Sequence, residues 1–249
     1  MGTAKALLEW HGTTLLQRTV EVLGRSARGA VVVVRAPGQA LPDLPPGVVV
    51  REDPEEGLGP LQGLAVGLSA AAERGAARAF VCATDLPFLH PAYVRRVLDL
   101  LDEDADVVLP VVGGFRQPLA AAYRSSLAGA CARLVAQRRL RPAFLFDEVR
   151  TVAVDEELLL RERALREGDP GLASVAGVNA PEDYRDARAR PAPQVTVVDA
   201  RGSRTLRAGS LDAVGGAGPG TSVDGRPAQR HQPLLEGDVV ELRTGRTPS

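Results

Sequence analysis

The stretch that decides the fold is "ARAFVCATDLPFLHPAYVRRVLDLLDE", residues 77–103. It opens with an apolar run that ends on a lone carboxylate, Asp85. A continuous run of this kind predicts a strand covered on both faces. Pro87 then supplies a turn, and Pro91 suits the first helical position ahead of an amphipathic segment. A buried strand, a turn and a helix in direct succession are the repeating unit of an α/β sheet.

The same alternation extends in both directions. "AVVVV" (30–34) and "GVVV" (47–50) lie upstream, and "DVVLPVV" (106–112) and "PLAAAY" (118–123) downstream, all read as strands. Thr13 or Thr14 can cap a helix whose buried face carries Leu15, Leu16, Thr19, Val20 and Leu23. Pro60 opens "LQGLAVGLSAAAERG", and Ser125 or Ser126 opens "LAGACARLVAQRR". The expected architecture is α/β, a mostly parallel Rossmann-like sheet with helices on both faces, spanning residues 1–189. "ARARPAPQ" then reads as a linker at 190–194. Residues 195–249 read as a small β-rich, partly disordered module, with two strands in "QVTVVDARGSRTLRAG" and one in "LLEGDVVELRTG". Few apolar residues beyond Pro193 look able to pack on the α/β part, so a chain ending near Arg190 is expected to fold.

Bulk properties narrow the function. The 249 residues are 45% hydrophobic and 24% charged, ordinary for a globular protein, and the net charge of −1 offers no field for nucleic acid. Cys82 and Cys131 sit in apolar segments without metal or disulfide spacing, which predicts reduced thiols. With no apolar run of membrane-spanning length and no signal-peptide pattern, the expectation is a cytoplasmic protein without a membrane partner.

Ligands of open α/β sheets bind outside the carboxyl ends of the strands. Lys5, Asp53 and Asp85 fall there on this reading. Each has a plain alternative: Asp85 can cap a turn, Asp53 belongs to the acidic run "REDPEE", and a single lysine says little. His11, His90 and His231 lack ligand spacing and read as surface or capping residues.

The order of motifs carries more than any one of them. "MGTAKALLEWHGTTLLQRTVEVL", "EDPEEGLGPLQGLAVGL", "ATDLPFLHPAYV", "RQPLAAAYR" and "GVNAPEDY" follow one another in a way that resembles the nucleotidyltransferases attaching a nucleotide to the molybdenum cofactor, the guanylyltransferases most of all. The resemblance covers about residues 1–189. It implies joining of GTP to molybdopterin with release of pyrophosphate. The same fold also serves cytidylyltransferases and other NTP transferases, and a non-catalytic nucleotide- or cofactor-binding protein is a third possibility.

Position by position, the resemblance implies that Lys5 contacts nucleotide phosphates and that Gly2 survives from the Gly-rich opening signature. It implies that Asp53 lines the nucleotide site, that Asp85 binds Mg2+, and that Gln117 and Asn179 meet the pterin substrate. The catalytic pair is then Lys5 and Asp85. Where the family often has an asparagine after the second strand, this chain has Arg35. Molybdoenzyme apoproteins or their chaperones are the implied protein partners. The family's phosphate loop follows a strand that is not seen ahead of Met1, so the native protein is expected to carry about fifteen to twenty-five further residues there, judged by the central first strand of doubly wound sheets. More faintly, "VDGRPAQRHQPLLEGDVVEL" is similar to the last third of ubiquitin-like sulfur carriers, but the final "GRTPS" lacks their Gly-Gly, which implies a module without carrier chemistry.

Overall fold

A computed structural model describes residues 5–55, 57–216, 218–229 and 231–242. A short 3-10 turn (Lys5–Leu7) leads into β1 (Glu9–Trp10), β2 (Thr13–Thr14) and α1 (Leu15–Ser26). Next come β3 (Val32–Arg35), β4 (Val49–Glu52), α2 (Gly59–Ala72), β5 (Arg78–Cys82) and α3 (Pro91–Asp99). β6 (Val107–Val112), β7 (Phe115–Arg116) and β8 (Ala120–Arg124) precede α4 (Ala128–Ala136) and α5 (Ala143–Phe146). β9 (Thr151–Val154) is followed by α6 (Glu156–Leu160), α7 (Arg163–Gly168) and α8 (Pro181–Ala189). The last elements are β10 (Gln194–Asp199), β11 (Gly202–Arg207), β12 (Ser222–Val223), β13 (Arg226–Pro227) and β14 (Val239–Glu241).

These elements pack as two compact units. The larger comprises Val22–Leu41 and Pro46–Ala176; the smaller comprises the described parts of Met1–Glu21, Pro42–Pro45 and Gly177–Ser249. α1 runs from one into the other. Its start follows from Thr14, whose hydroxyl accepts from the Gln17 amide at 3.2 Å while the Gln17 side chain accepts from the Thr14 amide at 2.9 Å. This reciprocal pair satisfies two amides that a helix start otherwise leaves orphaned.

In the larger unit, β3 and β4 pair in parallel, as do β6 and β9, while β8 runs antiparallel to both β5 and β6. The reversal is made by the β6–β7 hairpin, whose turn residues Gly113 and Gly114 both take positive φ. Helices cover the sheet by strand alternation. Ala121 and Tyr123 of β8 join a buried cluster with Leu61, Leu64 and Leu68 of α2 and Cys131 and Leu134 of α4. Their neighbour Ala120 lies by α3, accepting a hydrogen bond from the buried Tyr93 hydroxyl at 3.0 Å. The i, i+3, i+7 spacing of the α2 leucines makes one apolar stripe, and each fully buried leucine contributes about 2 kcal/mol.

β5 differs from its neighbours. Residues Val107–Pro110 and Ala120–Tyr123 are buried, whereas Ala79–Cys82 are only half-buried. Among the described residues β5 pairs with β8 and β3 pairs with β4, so each has one edge without a partner strand.

The smaller unit holds a mixed five-stranded sheet in the order β11-β10-β14-β12-β13, with β10 and β14 parallel and the other ladders antiparallel. Val195, Val197, Leu211, Val223, Leu234 and Val240 form its own buried core. The Gly/Pro-rich stretch between β11 and β14 contains a 3-10 turn at Leu211–Val214 and the β12–β13 hairpin. The hairpin is closed by Asp224 and Gly225, both at positive φ, as a two-residue turn between twisted strands requires. The same unit contains the β1–β2 hairpin and α8. Tyr184 of α8 donates its hydroxyl hydrogen to the Glu9 carbonyl, and Arg188 pairs with the Glu9 carboxylate.

Candidate active site

In the smaller unit, Lys5 opens the 3-10 turn and its ammonium donates to the Asn179 side-chain oxygen at 3.4 Å. These residues lie 174 positions apart and come from two of the five sequence motifs. Asn179 is fixed from behind. Its amide and that of Ala180 both donate to the Asp183 carboxylate, at 3.0 and 2.8 Å, which places Asn179 just ahead of the α8 N-terminus. Gly2 lies outside the described residues.

In the larger unit, Asp53 directly follows β4, its amide donating to the Arg35 carbonyl at 2.7 Å. One oxygen of its carboxylate is buried without a hydrogen-bond partner among the described residues. A buried oxygen left without a donor costs stability. Arg35 pairs with Glu52 at 3.0 Å and donates to the Gln39 carbonyl at 3.1 Å, while its Nε is likewise buried without a hydrogen-bond partner among the described residues. Gln117 is half-buried and its amide group donates to the Phe115 carbonyl at 3.2 Å, folding back over its own hairpin.

Asp85 sits half-buried in the turn after β5. Loss of hydration, with the Asp85 charge adding to it, pushes the Cys82 thiol up to about 12, and burial pushes Cys131 up to about 11. Neither cysteine is a nucleophile near neutral pH. The start of α3, beyond this turn, is anchored by a cluster that the sequence did not reveal. His90 caps α3 by accepting from the Ala92 amide at 3.1 Å, and its own amide donates to the Ser174 hydroxyl oxygen at 3.0 Å. That hydroxyl donates to the buried Asp169 carboxylate at 2.6 Å, which also accepts from the Ala173 and Ser174 amides at 2.7 and 2.9 Å. Gly168 packs so close that a Cβ there would meet the His90 ring at 2.6 Å.

Asp169→Ala removes the acceptor for three donors in a site with little water, at a cost of roughly 2–4 kcal/mol. The melting temperature is expected to fall by about 5–12 °C. A fall under about 2 °C in thermal unfolding would mean that water replaces the carboxylate and that the cluster anchors nothing.

Among the described residues no group of three or more His, Cys, Asp and Glu could hold an ion on protein ligands alone. A divalent ion held by one carboxylate, water and substrate phosphates needs no such group, and Asp85 fits that donor set. An open hollow of about 340 Å³, lined by Glu9, Tyr184, Arg185, Arg188 and Ala189, contains none of the expected site residues. Its charges are engaged, Arg188 with Glu9 and Arg185 with Glu182.

Helices packed on the β3–β4 ladder and on the β5-β8-β6 sheet, with a carboxylate beyond the ends of β4 and β5, make the larger unit an α/β fold. Residues 1–152 match the family described as the MobA-like NTP transferase domain, and the chain belongs to that family. It is 40% identical over 190 residues to probable molybdenum cofactor guanylyltransferases of Mycobacterium bovis and Mycobacterium tuberculosis, covering 73% of this chain and 86% of theirs. Its fold is similar to that of molybdopterin-guanine dinucleotide biosynthesis protein A from Archaeoglobus fulgidus, with a TM-score of 0.57, 20% identity, and 75% of this chain and 90% of that one covered. It is also similar to 2-C-methyl-D-erythritol 4-phosphate cytidylyltransferase from Thermus thermophilus, with a TM-score of 0.52, 20% identity, and 76% and 93% covered. Among the described residues no helix is long and apolar enough to cross a membrane.

Proposed function

We propose that this nucleotidyltransferase joins GTP to molybdopterin, releasing pyrophosphate. The observation that carries the reading is the hydrogen bond between Lys5 and Asn179. It joins the residue expected at the nucleotide phosphates to the one expected at the acceptor, where two anionic substrates must meet. An oxygen of the molybdopterin phosphate attacks the α-phosphorus of GTP, the bond from that phosphorus to the bridging oxygen breaks, and pyrophosphate leaves with the electron pair. The attacking phosphate is already ionised near neutral pH, so no general base is required. The barrier is one of charge and alignment.

Lys5 places a positive charge against the phosphates, and the Asn179 contact limits where that charge can go. Asp85 would hold Mg2+, which when bound supplies charge neutralisation at the α-phosphate and the leaving group. Asp53, just beyond β4, would line the nucleotide site. Gln117 would meet the pterin. We place the protein in the cytoplasm, with molybdoenzyme apoproteins or their chaperones receiving the product.

The test is pyrophosphate release with Mg2+ and each of the four NTPs, with and without molybdopterin. Release that needs both GTP and molybdopterin is the expected result. A preference for CTP would move the assignment to a cytidylyltransferase, and no release with any NTP would favour a binding protein.

A further inference from the structure

The smaller unit packs its C-terminal sheet against the N-terminal segment at one unusually close point. A Cβ on Gly209 would lie 2.2 Å from the His11 Cβ and 2.6 Å from the His11 carbonyl oxygen. The φ of Gly209 is not in the left-handed region, so glycine is required there by space alone. The next residue, Ser210, is buried, and a Cβ on Gly12 would meet its hydroxyl oxygen at 2.6 Å. Gln232 adds a polar contact, donating to the Glu21 carboxylate of α1 at 2.9 Å.

Both partners in this contact are braced. On the tail side, Ser210 bridges to Pro233, the Leu211 amide donates to the Gln232 carbonyl at 2.9 Å, and the Leu234 amide donates to the Gly209 carbonyl at 3.0 Å. Leu211 and Leu234 belong to the tail's own core. On the other side, His11 and Gly12 are the turn of the β1–β2 hairpin, both at positive φ, a region uncommon for any residue with a Cβ although histidine enters it more often than most. The hairpin sits four residues beyond Lys5, and the Leu15 amide donates to the Leu8 carbonyl at 2.9 Å, tying the segment to the start of α1.

We propose that Gly209 is a positioning residue for Lys5, and that the C-terminal β module acts as a brace holding the Lys5–Thr14 segment in its nucleotide-facing conformation. The proposal rests on the assignment of Lys5 to the nucleotide phosphates. It explains why a glycine without conformational need meets a strained histidine turn. A strained turn persists where its surroundings over-determine it, and here the surroundings include the tail. The contact made here by residues beyond Pro193 is with the N-terminal segment of their own unit.

The test compares the full chain with Gly209→Val by hydrogen exchange and by Mg2+–GTP binding. Exchange over residues 5–14 should speed up by about tenfold or more, with β6 and β8 unchanged. Affinity for Mg2+–GTP should weaken by about tenfold, and this loss should vanish in a Lys5→Met background, because a residue acting through Lys5 has nothing left to act on. A loss of the same size in both backgrounds, or unchanged exchange over 5–14, would overturn the proposal. If Gly209→Val does not fold, Gly209→Ala and Gln232→Ala answer the same question. If the parent binds no nucleotide, the exchange result alone decides the brace, and it is the reading of Lys5 that has failed.

Discussion

Replacing Asp85 by Asn is expected to lower metal-dependent nucleotidyl transfer by about 10²-fold or more while moving the melting temperature by less than about 2 °C. The two halves of the result have separate causes. Asparagine keeps the shape of the side chain in a half-buried turn, and the helix that follows is held by the His90, Ser174 and Asp169 cluster. It removes the negative charge, and a hard divalent ion held by one protein carboxylate has little else from the protein to hold it. Raising Mg2+ should recover part of the rate, since weakened binding is answered by mass action. Turnover within a few-fold of the parent, at low and high Mg2+ alike, would take Asp85 out of the metal role.

Lys5→Met should cost on the order of 10²–10³ in turnover. Methionine retains most of the aliphatic stem and deletes the ammonium, so the loss reports charge. Asn179→Ala is the informative companion. It leaves the ammonium in place and removes only the acceptor at 3.4 Å, so its effect should be smaller, about tenfold. Both variants should melt close to the parent, because Asn179 is exposed and Lys5 half-buried. If Asn179→Ala proved as damaging as Lys5→Met, asparagine would be touching substrate itself. If neither changed the rate, the phosphates would lie elsewhere.

Much of this arrangement is written in local sequence. Pro60 and Pro91 begin α2 and α3 because a residue with a preset φ and no amide hydrogen suits a helix start. The β10–β11 hairpin falls where the sequence reads as two strands, although its turn is Ala200–Arg201 and Gly202 and Ser203 already belong to β11. What local sequence concealed has a common cause: it depends on partners far along the chain. β1 and β2 are two residues each and turn through His11 at positive φ, which no propensity suggests. β9 is four residues long with two of them exposed, and nothing local shows that it pairs in parallel with β6. "EGDPGLAS" also reads as a loop, and Asp169 gains its role only when Ser174 meets His90, 84 residues away. The direction of β8 turns on Gly113 and Gly114, whose hairpin inverts a strand that apolar content alone would leave unspecified.

Site residues divide in the same way. Asp53 and Asp85 could be placed beyond strand ends from the sequence, because strand boundaries are local. The buried, unpartnered oxygen of Asp53 could not, since it depends on what surrounds the carboxylate. Nor could the meeting of Lys5 with Asn179, which needs the two ends of the nucleotidyltransferase region brought together. The Gly209 contact was hidden for a further reason. A glycine in a Gly-rich tail looks like flexibility, whereas here it marks close packing.

The most direct measurement of the central claim follows the α-phosphate itself. GTP labelled at that position is incubated with the protein, Mg2+ and molybdopterin, and the products are separated and weighed by mass spectrometry. The account predicts that the label moves into a species joining GMP to molybdopterin through a phosphoanhydride, with one pyrophosphate released for each, and that Asp85→Asn and Lys5→Met suppress both together. Label remaining in GTP, or appearing as free GMP without the pterin, would contradict it.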